Sequence, residues 1–202
     1  MKKITKYIPT IILTLLCSCS DYLDIVPDNV TTLDIVFNNR NTAERYLANC
    51  YHFVPDHGSV KRIPGMGAGH ECWFYTTNDS HFDNEVSFYI ARGLQNIDAP
   101  YANYWDGEGG SNLPMFRAIR ECNIFLDYVR DQHKVNDLTD SERKRWIAEV
   151  NVLKAYYHFF LFEHYGPIPI VDKALPVSTD PEGVKVTRMP VDQIVDYMVK
   201  LI

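Results

Sequence analysis

Apolar residues recur with helical period along several stretches of the chain, and the longest such pattern covers residues 139–165. Trp146, Val150, Leu153, Tyr157, Phe160 and His164 follow alternating spacings of four and three and form one seam. Ala148, Val152, Ala155, Phe159 and Phe162 form a second, which leaves Lys144, Asn151, Lys154 and His158 as a narrow polar stripe. A helix that is apolar on two faces needs cover on two sides, so the pattern predicts a helix inside a multi-helix stack with its polar stripe turned to water. Both ends are marked. Thr139 and Glu142 make a capping box, and Asp140 suits the positive end of the helix dipole. Gly166 supplies a left-handed position after the last turn, and Pro167 prevents continuation beyond about Tyr165.

Shorter patterns flank this one. Asn41 with Glu44 predicts a capped helix with a seam of Ala43, Leu47, Cys50 and Val54, ended by Pro55. Pro114 suits the first turn of a helix whose seam is Met115, Ile119, Cys122, Leu126 and Val129. Asn123 lies beside that seam, so its amide is expected to bond a neighbouring backbone turn. This helix should pack antiparallel to the long one across a polar loop. Pro190 opens a last helix bearing Val191, Ile194, Val195, Met198 and Leu201, which reaches the end of the sequence without a cap. An exposed apolar stripe there is costly, so the sequence is expected to be the N-terminal part of a longer protein.

Between these elements regularity is weak. Residues 21–41 read as extended or irregular chain, with a short apolar run at 33–37, and 172–188 show no period. From Pro55 to about Asn112 glycines break any long element, yet rings keep returning, which argues for an ordered, functional segment. The expected fold is mostly α: irregular helical pairs with long loop insertions. Ala155, Phe159 and Pro167 fit the A-x3-F…P part of a tetratricopeptide repeat, although the Trp and Gly of its first helix are not at their places.

The first residues belong to export rather than to the fold. Lys2, Lys3 and Lys6 precede an apolar run from Ile8 to Leu16, and Leu16-Cys17-Ser18-Cys19 matches a bacterial lipobox with Cys19 as the residue to be acylated. The expected divisions are a signal peptide at 1–18, a lipid anchor and tether at 19–41, and a helical domain at 42–202. Losing three Lys leaves 17 basic against 26 acidic groups, a net charge of −9, which argues against nucleic acid as a partner. Of five cysteines, removal of Cys17 and acylation of Cys19 leave three, which cannot all pair; Cys50 and Cys122 lie on helical seams and read as small core residues. The sequence offers no account of Cys72.

Glu149, Leu153, Ala155, Tyr156 and Tyr157, followed by Tyr165-Gly166-Pro167-Ile168-Pro169, resemble the signature helix and exit turn of the SusD/RagB family of surface glycan-binding lipoproteins. In that family the pattern is roughly E-x-x-x-L-(R/K)-A-x-Y-Y, then an aromatic helix and (F/Y)-G-x-(I/V)-P. Trp105, Ile119, Asn123, Ile124, Phe125 and Leu126 upstream, and Arg188-x-Pro190 downstream, lie in the family's order. The resemblance implies a lipoprotein of the outer membrane, facing outward, that captures an oligosaccharide or other nutrient and delivers it to a SusC-like TonB-dependent transporter. It further implies that Glu149, Ala155, Tyr157, Gly166 and Pro167 are structural.

Catalytic motifs are missing: there is no G-x-S-x-G, H-E-x-x-H, P-loop or paired CxxC. Asp79, His81, Asp83 and Glu85 alternate, but a calcium loop fails at His81, Asn84 and Ile90, so neither metal nor cofactor is expected. Sugar binding asks for rings beside amide, carboxylate or guanidinium groups, because a pyranose has an apolar face and a hydroxyl edge. The segment from Glu71 to Trp105 has these types, with Trp73, Tyr75, Asn78, Asp79, Asn96 and Trp105 as the leading candidates and Arg92, Gln95 and Tyr101 beside them. For each ring the alternative is that it covers the helices, and Trp105 stands where the family has a structural Trp. Two other readings stay open: a surface glycosidase, and a structural helical-repeat lipoprotein, the latter favoured if Trp73 and Tyr75 are buried.

Overall fold

The computed structural model describes residues 32–58, 65–69, 86–98, 100–107, 113–175 and 185–202. The signal peptide, Cys19 and most of the tether lie outside the described residues, as does Cys72. Among the described residues all regular structure is helical. The chain divides into two units, Met1–Ile35 and Val36–Ile202. Of the first, residues 32–35 are described. They open α1 (Leu33–Val36), where the Ile35 amide bonds the Thr32 carbonyl at 3.1 Å and Asp34 stands in the first turn. The short apolar run at 33–37, expected as irregular chain, therefore forms a helical turn stabilised by a local bond and an acidic N-terminus.

In the second unit α2 (Arg40–Tyr51) starts two residues earlier than its sequence pattern suggests. Asn39, not Asn41, is the cap: its side-chain oxygen accepts the Thr42 amide at 3.1 Å. Arg40 binds Glu142 of the long helix at 3.0 Å, and its amide donates to Asp137 at 2.7 Å, so contacts distant in sequence choose between the two asparagines. Ala43, Leu47 and Cys50 are buried as expected, whereas Val54 lies past the helix end and is exposed. Within the segment expected to be irregular stand two short helices, α3 (Gly65–Ala68) and α4 (Val86–Ala91), which contact each other.

The core is an antiparallel pair formed by α5 (Met115–Arg130) and α6 (Asp140–Tyr165). Every residue of the predicted α5 seam is buried, and the Asn123 amide donates to the Val171 carbonyl at 3.0 Å. The pairing runs Val129 to Arg143 at one end, where the Arg143 guanidinium donates to the Val129 carbonyl at 2.5 Å, and Phe125 to Trp146 further in, with ring centroids 6.2 Å apart. The same guanidinium reaches the carbonyls of Asp131, Lys134 and Val135, which fastens the loop between the helices. Val135 is held there at a φ of 51°, uncommon for a β-branched residue. The capping box of Thr139 and Glu142 is present. Cys50 and Cys122 are buried free thiols, and their hydrogen bond, with burial, pushes the Cys50 thiol above its ordinary range.

The faces of α6 depart from the sequence reading. Trp146, Val150, Leu153, Tyr157 and Phe160 are buried as expected, while His164 is exposed. Lys154 and His158, assigned to the watered stripe, are almost completely buried, and Val152 and Phe159, assigned to the second seam, are 49% and 47% exposed. The reason is the chain that follows. α7 (Val191–Leu201) packs on α6, and Asp172 and Tyr197 bring polar partners to the polar stripe. Lys154 finds its partner in Asp172, so this part of the stripe becomes an interface, while Lys144 stays exposed and the buried His158 Nε2 has no hydrogen-bond partner. On α7 itself Ile194 and Met198 are buried, whereas Val191 and Val195 are exposed. Val152, Tyr156, Phe159, Val195, Val199 and Ile202 line an open apolar groove of about 320 Å³.

Candidate functional site

The exit turn of α6 builds the site. Gly166 takes φ 68° and ψ −132°, a conformation open to glycine alone, and its amide bonds the Phe162 carbonyl at 2.9 Å. The chain then doubles back so that Ile168 is buried and its carbonyl accepts the Met189 amide at 3.0 Å. Arg188, carried alongside, donates to the Pro167 carbonyl at 2.8 Å and lays its guanidinium 5.1 Å from the centroid of Trp105. Trp105 also meets the edges of Phe116 at 4.7 Å and Tyr165 at 5.5 Å.

Its loop is tied down from both sides. The Tyr165 hydroxyl accepts the Tyr104 amide at 2.8 Å, and the Tyr104 carbonyl accepts the Met115 amide at 3.0 Å. Burial pushes the Tyr104 and Tyr165 phenols above their ordinary range, so both stay neutral donors and acceptors. The result is a half-buried Trp105 at one end of an open cleft of about 290 Å³, lined also by Phe116, Arg120, Pro169, Val171 and Val186. Arg120 is held by a hydrogen bond to the Leu175 carbonyl. A cleft of rings and aliphatic carbons with one guanidinium at its wall can take the C–H face of a small ring and one or two of its hydroxyls.

Of the six leading candidates, Trp105 alone lines this cleft among the described residues. Trp73, Tyr75, Asn78 and Asp79 lie outside the described residues, as do His81, Asp83 and Glu85. Asn96 is described but stands apart from the cleft: it is exposed, and its amide bonds the Leu94 carbonyl at 3.1 Å. Gln95 and Tyr101 brace their own loop, since the Gln95 side chain accepts the Tyr101 amide at 2.7 Å and Tyr101 stacks on Tyr89 at 4.4 Å.

Residues 21–201 match the SusD-like family model described as "Starch-binding associating with outer membrane". The chain belongs to the SusD-like family. A solved SusD-like protein from Bacteroides fragilis shares its fold, with a TM-score of 0.56 at 16% identity over 86% of this chain and 30% of that one. The chain thus spans less than a third of the length of that structure. No curated protein matches.

The mostly helical architecture expected from the resemblance is present, and residues on which that resemblance was read make contacts between helices. The Tyr157 hydroxyl donates to the Cys50 carbonyl at 2.5 Å, which satisfies an orphan acceptor in the last turn of α2. Glu149 pairs with Arg145 at 3.5 Å and accepts from the Tyr51 hydroxyl at 3.4 Å, again joining α6 to α2. Ala155 is buried, and Gly166 with Pro167 turns the chain. Missed altogether were Arg120, Phe116 and Arg188 as neighbours of Trp105. The one signal for Arg188 was its place two residues before the Pro190 that opens α7.

Proposed function

We propose that this SusD-like chain is a surface-exposed lipoprotein that captures oligosaccharide and delivers it to a SusC-like TonB-dependent transporter of the outer membrane. In this reading residues 1–18 are a signal peptide, Cys19 carries the acyl chains, and the tether expected over 19–41 ends before α2, which starts at Arg40 and with the residues to 202 forms a helical portion of the binding domain. The observation that carries it is the family match, which begins at residue 21, directly behind the lipobox cysteine, and extends to residue 201. Acylation at one cysteine would hold the protein to a membrane while the helical body stays in water. Capture and release need contacts and hinge motion, with no bond made or broken, and the cleft at Trp105 offers a ring and a guanidinium for such contacts.

The test is mass spectrometry of what co-purifies with the protein from gently solubilised outer membranes, with the intact mass of the protein itself. The expected result is a large TonB-dependent barrel in the eluate and a Cys19 N-terminus bearing acyl chains. A protein that emerges alone and unacylated overturns both the partnership and the anchor.

A further inference from the structure

Two thiols meet where α2 packs on α5, and neither takes part in the cleft at Trp105. Cys50 stands in the last turn of α2 and Cys122 at the middle of α5; both are free and fully buried. The residue before each is paired with the other: the Asn49 amide donates to the Glu121 carboxylate at 3.3 Å, and the Tyr46 hydroxyl donates to the same oxygen at 2.5 Å. That pairing at the rim sets Cys50 against Cys122 inside, where the two thiols are hydrogen-bonded to each other. From the α6 side the Tyr157 hydroxyl, on the Cys50 carbonyl at 2.5 Å, fixes this turn of α2.

In the intact fold such a pair is inert. The thiolate is the attacking species in disulfide chemistry, and the hydrogen bond to Cys122, burial and the Glu121 carboxylate all keep the proton on Cys50. An external oxidant also finds no exposed sulfur to approach. Whatever oxidation state the pair takes is therefore set before α2 docks on α5, and is kept afterwards. The lipobox supplies the compartment, because a chain exported on the reading above folds where disulfides persist.

We propose that Cys50 and Cys122 form a disulfide that staples α2, the helix directly behind the tether, to the α5 and α6 core of the exported protein; its compartment rests on the export reading. The oxidant is an external disulfide, of a small thiol or of an oxidoreductase. One cysteine thiolate attacks it, forming a mixed disulfide and releasing one thiol, and the second cysteine then attacks the mixed disulfide and releases the other. One S–S bond forms in the chain, one breaks in the oxidant, and the two cysteine protons end on the two thiols released. The bond closes a loop of about 70 residues, which restricts the unfolded chain and so favours the fold.

The experiment unfolds and reduces the full chain, refolds it in a buffer of oxidised and reduced glutathione, blocks free thiols by alkylation and maps the peptides by mass spectrometry. The expected result is a joined Cys50–Cys122 peptide in excess of any linkage to Cys17, Cys19 or Cys72. The oxidised chain should melt about 5–10 °C above the reduced one, a difference that Cys122→Ala removes. The reduced chain, if folded first, should react with the same buffer at least about 100-fold more slowly than the unfolded chain. Free thiols at both positions after refolding, or either one joined to Cys72, overturn the staple. The same mapping on protein from outer membranes separates the two readings. Acyl chains on Cys19 with Cys50 and Cys122 free overturn the staple and leave export standing, whereas an unacylated chain with its leader retained, which still forms the bond on refolding, overturns export and upholds the pairing.

Discussion

The Lys154 ammonium lies 3.0 Å from both the backbone carbonyl and the Oδ1 of Asp172. The lysine side chain is 2% exposed and the aspartate 64%, so the cation is inside and its counter-charge at the rim. Burial pulls the Lys154 pKa down and Asp172 offsets part of that. Burial alone would raise the Asp172 carboxyl, but hydrogen bonds from Lys154 and Tyr197 outweigh it and hold the group below the usual range. Removing the rim partner strands a buried charge, whereas removing the charge strands nothing. Asp172→Asn should therefore destabilise by about 1–3 kcal/mol, and Lys154→Met by less than about 1 kcal/mol. Urea denaturation of both variants checks the order; a larger loss in Lys154→Met would mean the pair itself is net stabilising.

His158 gives the fold a pH dependence. It is buried, its Nδ1 lies 2.7 Å from the Lys154 carbonyl, and Lys154, Asp172 and Tyr197 surround it. Burial brings its pKa down to about 4. An unfolded histidine titrates near 6.5, so between these values the unfolded chain binds the proton and the folded one does not. Stability from this group is full above about pH 6.5 and falls as pH drops toward 4, by at most about 3 kcal/mol. Glu142 and Asp172 have depressed pKa values, so their losses come at still lower pH. His158→Gln should flatten the stability slope between pH 6.5 and 4; an unchanged slope there would refute the assignment.

Two glycines should respond differently to alanine. At Gly166 nothing stands within 4 Å of an added Cβ, so the loss comes only from its positive φ, about 1–2 kcal/mol. At Gly107 the same backbone strain is joined by a clash with Pro114. Gly107→Ala should shift the melting temperature further down than Gly166→Ala, as calorimetry of the two would show.

The groove along Val152, Phe159, Val195 and Val199 is apolar throughout and open. This chain should therefore enhance the fluorescence of an apolar dye while fully folded. Val199 is 69% exposed, and Val199→Glu should reduce that signal without lowering stability by more than about 0.5 kcal/mol. Dye binding that survives the charge would locate the apolar surface elsewhere.

What could be read from the sequence was what local pattern controls. The capping box at Thr139, the α5 seam and the glycine after Tyr165 each depend on residues within a few positions of one another. Periodicity also showed which residues of α6 were polar, but not which way they faced. Lys154 and His158 are buried because Asp172 and Tyr197 meet them, and no spacing within α6 carries that information. The α2 cap shows the same limit: Asn39 and Asn41 are equivalent by type, and Arg40 decides between them through Asp137 and Glu142. At the candidate site a lone ring could be picked out at Trp105, but the guanidinium over it comes from Arg188, on the far side of α6 in sequence.

The Arg143 clamp bears on the order in which the fold assembles. Its four carbonyl partners lie within 14 residues, and it closes the loop that joins α5 to α6. Short loops close early because little chain entropy is lost, so this hairpin is the natural nucleus. α2 must then dock through Tyr157 and Glu149, contacts that span 107 and 98 residues. Pulse-labelled hydrogen exchange should find the α5 and α6 amides protected before those of α2, with Arg143→Ala slowing refolding more than Tyr157→Phe.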